Sequence, residues 1–184
     1  EDRFLSAQGC AGYRAGSTHQ NAVALSPSES VKHTRLPPGF DASLYVAEPD
    51  IIKVIAMNWD ARGRLWVAET VDYPNDMQVP EKGKDRIKIC EDTDGDGMAD
   101  KFTIYADKLS IPTSLIHANG GLIVAQAPNT LFLKDTDGDD VADERSVLFS
   151  GWGTADTHSG PSSFRLGLDN WVWGTVGYSG FTGT

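Results

Sequence analysis

Two nine-residue windows concentrate oxygen ligands at a spacing that suits a hard cation. The first is Asp92-Thr93-Asp94-Gly95-Asp96-Gly97-Met98-Ala99-Asp100, with carboxylates at loop positions 1, 3, 5 and 9, glycine at 6, and the Met98 carbonyl available at 7. This is the order in which a helix–loop–helix calcium loop offers its ligands as far as position 9, because alternate residues of a tight coil point inward and a glycine takes its sharp turn. The bidentate glutamate of position 12 is missing, and Thr103 stands there inside a run that reads as a strand. The second window, Asp135-Thr136-Asp137-Gly138-Asp139-Asp140-Val141-Ala142-Asp143, repeats the design with Asp140 in place of the glycine. Aspartate tolerates positive φ better than most residues, so the turn survives at some cost in affinity. The expected ligands are Asp92, Asp94, Asp96, Met98 and Asp100 in one loop and Asp135, Asp137, Asp139, Val141 and Asp143 in the other. Aspartate and glycine also make ordinary solvated turns. Two copies of so dense a carboxylate cluster argue against that alternative, since the charges repel without a cation. Calcium is the expected metal, in the shorter loop form common in extracellular β proteins.

The charge balance agrees. The net charge is −10, from 26 acidic and 16 basic residues. Eleven of the acids lie in and beside the two windows, and without them fifteen acids face sixteen bases. The acidity is therefore local, and no basic footprint for nucleic acid exists. No apolar stretch approaches the length of a membrane-spanning helix. Cys10 and Cys90 allow one disulfide in an oxidising compartment or two free thiols. No C-x-x-C-H occurs, so this chain carries no haem attachment site of its own. The chain opens on Glu1 instead of Met, as a processed or trimmed product would, and a periplasmic or extracellular location is the expectation.

The elements that position the loops read as strands. Residues 1–35 form an expected extended arm, with a short helical turn beginning at Ser26-Pro27-Ser28-Glu29, where Ser26 caps and Pro27 suits the first helical position. Leu36-Pro37-Pro38-Gly39-Phe40 punctuates entry into the folded part, residues 36–184. Phe40 to Ala47 alternates as a half-buried strand, and Ile55 to Trp59, the turn Asp60-Ala61-Arg62-Gly63 and Arg64 to Glu69 make a hairpin. Gly63-Arg64-Leu65-Trp66-Val67-Ala68-Glu69 recurs as Gly120-Gly121-Leu122-Ile123-Val124-Ala125-Gln126 and, more loosely, from Asp169 to Thr175. A second kind of hairpin alternates with it: Arg86–Cys90 with Lys101–Tyr105 around the first loop, and Thr130–Leu133 with Arg145–Phe149 around the second. Two hairpins per unit at a period near 50 predict an all-β, partial β-propeller of about two blades plus the start of a third. A β-solenoid or open sandwich is the other arrangement compatible with the pattern. Propellers close with about 4–8 blades, so closure requires further blades or another subunit as partner.

These residues resemble a known family. Leu36-Pro37-Pro38-Gly39-Phe40, Ala47-Glu48-Pro49-Asp50, Gly63 to Glu69, Tyr73-Pro74, Arg86 to Ile89, both aspartate loops, and Phe164 to Trp171 look like the N-terminal part of the membrane-bound dehydrogenases of planctomycetes and their relatives. That family is similar to soluble quinoprotein sugar dehydrogenases, with an N-terminal propeller and often C-terminal helical-repeat and cytochrome c domains. The resemblance implies oxidation of a sugar or alcohol, with pyrroloquinoline quinone (PQQ) as cofactor and a cytochrome c domain as electron partner. It also implies that His158, followed by Ser159-Gly160 and Phe164-Arg165-Leu166-Gly167, is the general base, although two extra residues precede the arginine. The plainer alternative makes His158 a loop histidine hydrogen-bonded to Asp156 or Thr157. His19, His33 and His117 are scattered and suggest no metal cluster. Trp59, Trp66, Trp152, Trp171 and Trp173 could stack on a sugar, but Trp66 and Trp171 read as core positions. Arg62 and Arg64 read as turn and surface residues. Three functions follow: a quinoprotein-type dehydrogenase, a non-catalytic calcium-stabilised propeller that binds a partner, or a scaffold subunit of a larger complex.

Overall fold

A computed structural model describes residues 24–75, 77–79 and 81–183. Within them the chain is all-β apart from one short helix. Helix α1, Pro27–Lys32, begins as the sequence predicts, with Ser26 and Glu29 forming a reciprocal capping box. Such a cap contributes about 1 kcal/mol, and it matters here because the helix buries no side chain. Residues 1–23 of the expected arm, including Cys10 and His19, lie outside the described residues.

Ten strands follow, all in antiparallel sheets. Strands β1 (Val54–Trp59), β2 (Leu65–Glu69), β3 (Asp85–Glu91) and β4 (Lys101–Leu109) pair in chain order as a first sheet. A second sheet repeats the order with β5 (Ser114–Ala118), β6 (Gly121–Gln126), β7 (Asn129–Lys134) and β8 (Glu144–Ser150). Strands β9 (Ser162–Leu166) and β10 (Val172–Thr175) form a two-stranded third sheet. The opening strands β1, β5 and β9 lie side by side. Two of these, β5 and β9, go unread among the sequence's hairpins, because Ser114, His117, Ser162 and Arg165 interrupt their apolar pattern. Conversely, the expected strand from Phe40 to Ala47 forms no ladder.

The sheets stack through alternating faces. Trp66, Ala68, Ile87 and Ile89 of the first sheet meet Leu115, Leu122, Val124 and Leu133 of the second in the main core. Each of the leucine, isoleucine and valine side chains contributes roughly 1.5–3 kcal/mol when taken fully from water. His117 joins this core edge-on to Trp66, ring centroids 4.7 Å apart. Burial lowers its pKa, so the ring stays neutral, although its Nε2 has no hydrogen-bond partner among the described residues. A smaller cluster of Ile116, Ala125 and Phe164 joins the second sheet to the third.

Two buried carboxylates tie the irregular segments down. Asp85 accepts from the Thr70 hydroxyl and from the amides of Val71, Asp72 and Ile111, all within 2.9 Å, which pins the long connection between β2 and β3 to the start of β5's sheet. Glu69 is buried beneath Lys88, 2.9 Å away, and Arg86, and accepts the Ile52 amide at 2.8 Å. Buried charges survive only when paired in this way.

Candidate functional sites

The register fixes which loops share an end. Leu65 pairs with Cys90 and Glu69 with Arg86, so the β1–β2 turn and the first aspartate loop lie at one end of the first sheet. The β5–β6 turn and the second loop occupy the same end of the second sheet, because Leu122 pairs with Leu133 and Lys134 with Glu144. The connections 70–84, 110–113 and 151–161 belong to the opposite end.

Both aspartate loops are wound by their own carboxylates. Asp92 accepts the amides of Gly95 at 2.7 Å and Gly97 at 2.9 Å, Asp94 that of Asp96, and Asp96 that of Met98. Asp135 accepts the amides of Gly138 at 2.6 Å and Asp140 at 2.9 Å, Asp137 that of Asp139, and Asp139 that of Val141. Thr93 and Thr136 each donate from amide and hydroxyl to the last aspartate of their loop, Asp100 and Asp143. The Gly97 and Gly138 amides, first among the donors to their aspartates, hold the Asp92 and Asp135 carboxyls below the ordinary carboxylate range. Ligand oxygens of Asp92, Asp94 and Asp96 lie within 4.8 Å of one another, as do those of Asp135, Asp137 and Asp143. Anionic oxygens gathered so closely suit a hard divalent cation. Asp100 and Asp139 stand outside these two triplets, while Met98 and Val141 engage their loops through their amides.

Asp140 departs from the glycine pattern for a visible reason. Its φ is 65°, the conformation glycine holds at 92° in the first loop, and its side chain leaves the cation cluster altogether. It reaches across to the first sheet and accepts from Arg64 Nη1 at 2.8 Å, with Arg62 at 3.8 Å. Arg64 is buried, contrary to its expected place on the surface, and its Nε also donates to Asp60 at 2.8 Å. Asp60 additionally accepts the Trp66 indole N–H and the Arg62 and Arg64 amides, each at 2.9 Å. Burial pushes its carboxyl up, but the Arg64 amide, the Trp66 indole and the Arg64 guanidinium together outweigh that and hold it at about 2. A sequence signal for this clamp exists only in retrospect, as the one aspartate standing where a glycine belongs.

His158 sits at the other end. Its Nδ1 and amide both meet Asp156 Oδ1 at 2.8 Å, Tyr178 also donates to Asp156, and the His158 ring packs edge-on against Tyr73 at 5.2 Å. With Nδ1 carrying the proton toward Asp156, Nε2 is the free acceptor. The cavity beside it, lined by Asp156, Thr157 and Gly160, holds about 10 Å³. That cavity, which the His158 side chain does not line, is too small for a quinone, and its lining contains no arginine or lysine. The metal loops therefore do not meet His158.

Residues 26–183 match a family described as a domain of unknown function, DUF7133. The chain belongs to this family. No curated protein and no solved structure matches it. In this DUF7133 domain Trp66 is a core residue as expected, whereas Trp171 is exposed, because it stands in the β9–β10 turn, where no described residue covers it. Cys90 is buried and unpaired among the described residues, and no described helix is long and apolar enough to cross a membrane.

Proposed function

We propose that this domain is a calcium-stabilised segment of a β-propeller that acts as a rigid binding or scaffold module outside the cytoplasm. The observation that carries the reading is the duplicated loop: the same amide-to-aspartate winding twice gathers three carboxylates within 4.8 Å. Calcium would neutralise each triplet and lock the hairpin whose strands frame it. The propeller part is supported by two four-stranded meanders that stack face to face with their first strands adjacent. An open sandwich does not gather first strands in this way. Further blades, from the same polypeptide or another subunit, would complete the ring.

Calcium titration followed by thermal unfolding tests the metal. A ligand bound only by the folded state stabilises it by about 2.7 kcal/mol per site at a hundredfold excess over Kd. Calcium should raise Tm, EDTA should reverse the rise, and Asp92→Asn and Asp135→Asn should each remove one of two binding equivalents. An indifferent Tm would sink the calcium reading.

A second reading, a quinoprotein-type dehydrogenase for a sugar or alcohol passing electrons to a cytochrome c domain, is favoured by one feature. Asp156 orients His158 with Nε2 free, as a general base requires. Dye reduction by the intact protein, with and without added PQQ across sugars and alcohols, tests it. Absence of quinone-dependent turnover that His158→Ala abolishes would leave only the module.

A further inference from the structure

Tyr45 stands to the first aspartate loop as Tyr105 stands to the second. The Tyr45 carbonyl accepts the Ala99 amide at 2.8 Å, and the Tyr105 carbonyl accepts the Ala142 amide at 2.7 Å. Each phenol donates to the carbonyl two residues before its loop, Tyr45 to Cys90 at 3.3 Å and Tyr105 to Leu133 at 3.2 Å. Each tyrosine also precedes the opening residue of a sheet, Val54 or Ser114, by the same interval of nine. Packing follows suit: Tyr45 and Val46 lie against Leu65, Val67 and Cys90, as Tyr105 and Ala106 lie in one cluster with Leu122, Val124 and Leu133.

The two differ in one respect. Tyr105 belongs to β4, whose inner edge is laddered to β3. Residues 41–46 have no strand partner among the described residues, and only the Tyr45 carbonyl among them takes part in a main-chain hydrogen bond. In an antiparallel ladder a residue's N–H and C=O face the same neighbour, and adjacent residues alternate sides. With the Tyr45 carbonyl turned to Ala99, the main-chain groups of Leu44 and Val46 point the other way, and these residues correspond to Ile104 and Ala106, which pair with Lys88 and Ile87 of β3 on either side of a register shift at Tyr105. Beside this open edge, Ile55, Met57 and Trp59 of β1 are 39%, 65% and 51% exposed. Leu115, the counterpart of Ile55, is 2% exposed beneath the first sheet.

We infer that residues 41–47 are the outermost strand of a further four-stranded sheet, whose three other strands come from the same polypeptide and cover Ile55, Met57 and Trp59. The inference rests on the propeller reading and adds the join: the ring closes by a strand exchanged between distant parts of the chain. The interface between the first two sheets is the template for the occupant, an antiparallel sheet presenting apolar side chains as Trp66 and Ile87 do. Each described stack is made within one chain, with β4 leading into β5 and β8 into β9, which favours the same polypeptide over a second copy.

Hydrogen–deuterium exchange on the intact protein, together with Met57→Glu, tests the inference. The Leu44 and Val46 amides should exchange at least about a hundredfold more slowly than unprotected amides, independently of protein concentration. Met57→Glu should lower Tm by about 5 °C or more, because the charge would enter an interface. Unprotected amides combined with a destabilising Met57→Glu would overturn the strand exchange while leaving the propeller standing. Unprotected amides with a neutral Met57→Glu would remove both. Protection that grows with concentration alongside a dimer would overturn the inference in favour of a second copy.

Discussion

Trp66 and Trp173 hold the same place in the opening hairpins of the first and third sheets: each donates its indole N–H to the aspartate of the turn before it, Asp60 at 2.9 Å and Asp169 at 3.1 Å. Their surroundings diverge. Trp66 is 5% exposed because Tyr105 of its own sheet and His117 of the second sheet pack against it, while Trp173 on the uncovered third sheet is 61% exposed. Truncation should separate them. In the 184-residue chain, Trp66→Ala should cost about 3–5 kcal/mol in urea unfolding, and Trp173→Ala should stay within about 0.5 kcal/mol. Equal losses would mean that the outer face of β10 is covered after all.

The Arg64–Asp140 pair joins the second loop to the first sheet across one sheet boundary. Both side chains are largely out of water, so removing one partner strands the other. Asp140→Asn should cost about 1.5–3 kcal/mol, the range for a hydrogen bond to a charged group. A double-mutant cycle with Arg64→Gln should return a coupling energy of about 1 kcal/mol or more. Additive single effects would show that the clamp contributes nothing.

What could be read from the sequence follows from what makes each element local. The hairpins around the aspartate loops announce themselves because Arg86 to Cys90 and Lys101 to Tyr105 alternate on either side of a turn with its own chemistry. Strand β5 does not, since Ser114 and His117 are polar by type, and only what stacks on them buries the serine and half-buries the histidine. The strand expected over Phe40 to Ala47 has the right pattern and even the right tyrosine, but a ladder needs a second edge, which no single segment encodes. The loop spacing disclosed the carboxylates that gather, yet not that Asp143 joins its triplet while Asp100 stands outside the other, or that Asp140 serves Arg64. Those assignments depend on contacts that arise only once the sheets are stacked.

Acid should undermine the metal-free domain over a defined window. The Asp60 carboxyl is held at about 2 and those of Asp92 and Asp135 below their ordinary values, while the unfolded chain titrates near about 3.9. Folded pKa values below the unfolded ones mean stability present above about pH 4 and lost as pH falls toward about 2, since the unfolded state then binds the extra protons. Urea midpoints measured in EDTA between pH 7 and pH 2.5 should fall mainly below pH 4. Asp60→Asn should start lower and fall less steeply. A decline centred near pH 6 would point instead to histidines and contradict this assignment.

Cys90 should be chemically silent while the domain is folded. Its side chain lies on β3 beside Leu65, sealed by Tyr45 and Val46, and burial pushes the thiol up to about 11 despite the nearby Lys88 ammonium. The thiolate is the reactive form, so at pH 8 only about one molecule in a thousand would carry it even if reagent could enter. Labelling must then wait for the sheet to open, and its rate reports the population of the open state. In a Cys10→Ser background, a thiol reagent should modify the native protein at least about a hundredfold more slowly than the urea-unfolded chain. Tyr45→Ala should speed the native reaction selectively, because it removes the cover without touching the ladder between β2 and β3. Fast modification of the unaltered protein would mean that the 41–47 segment does not rest on the first sheet, and the correspondence between Tyr45 and Tyr105 would fail with it.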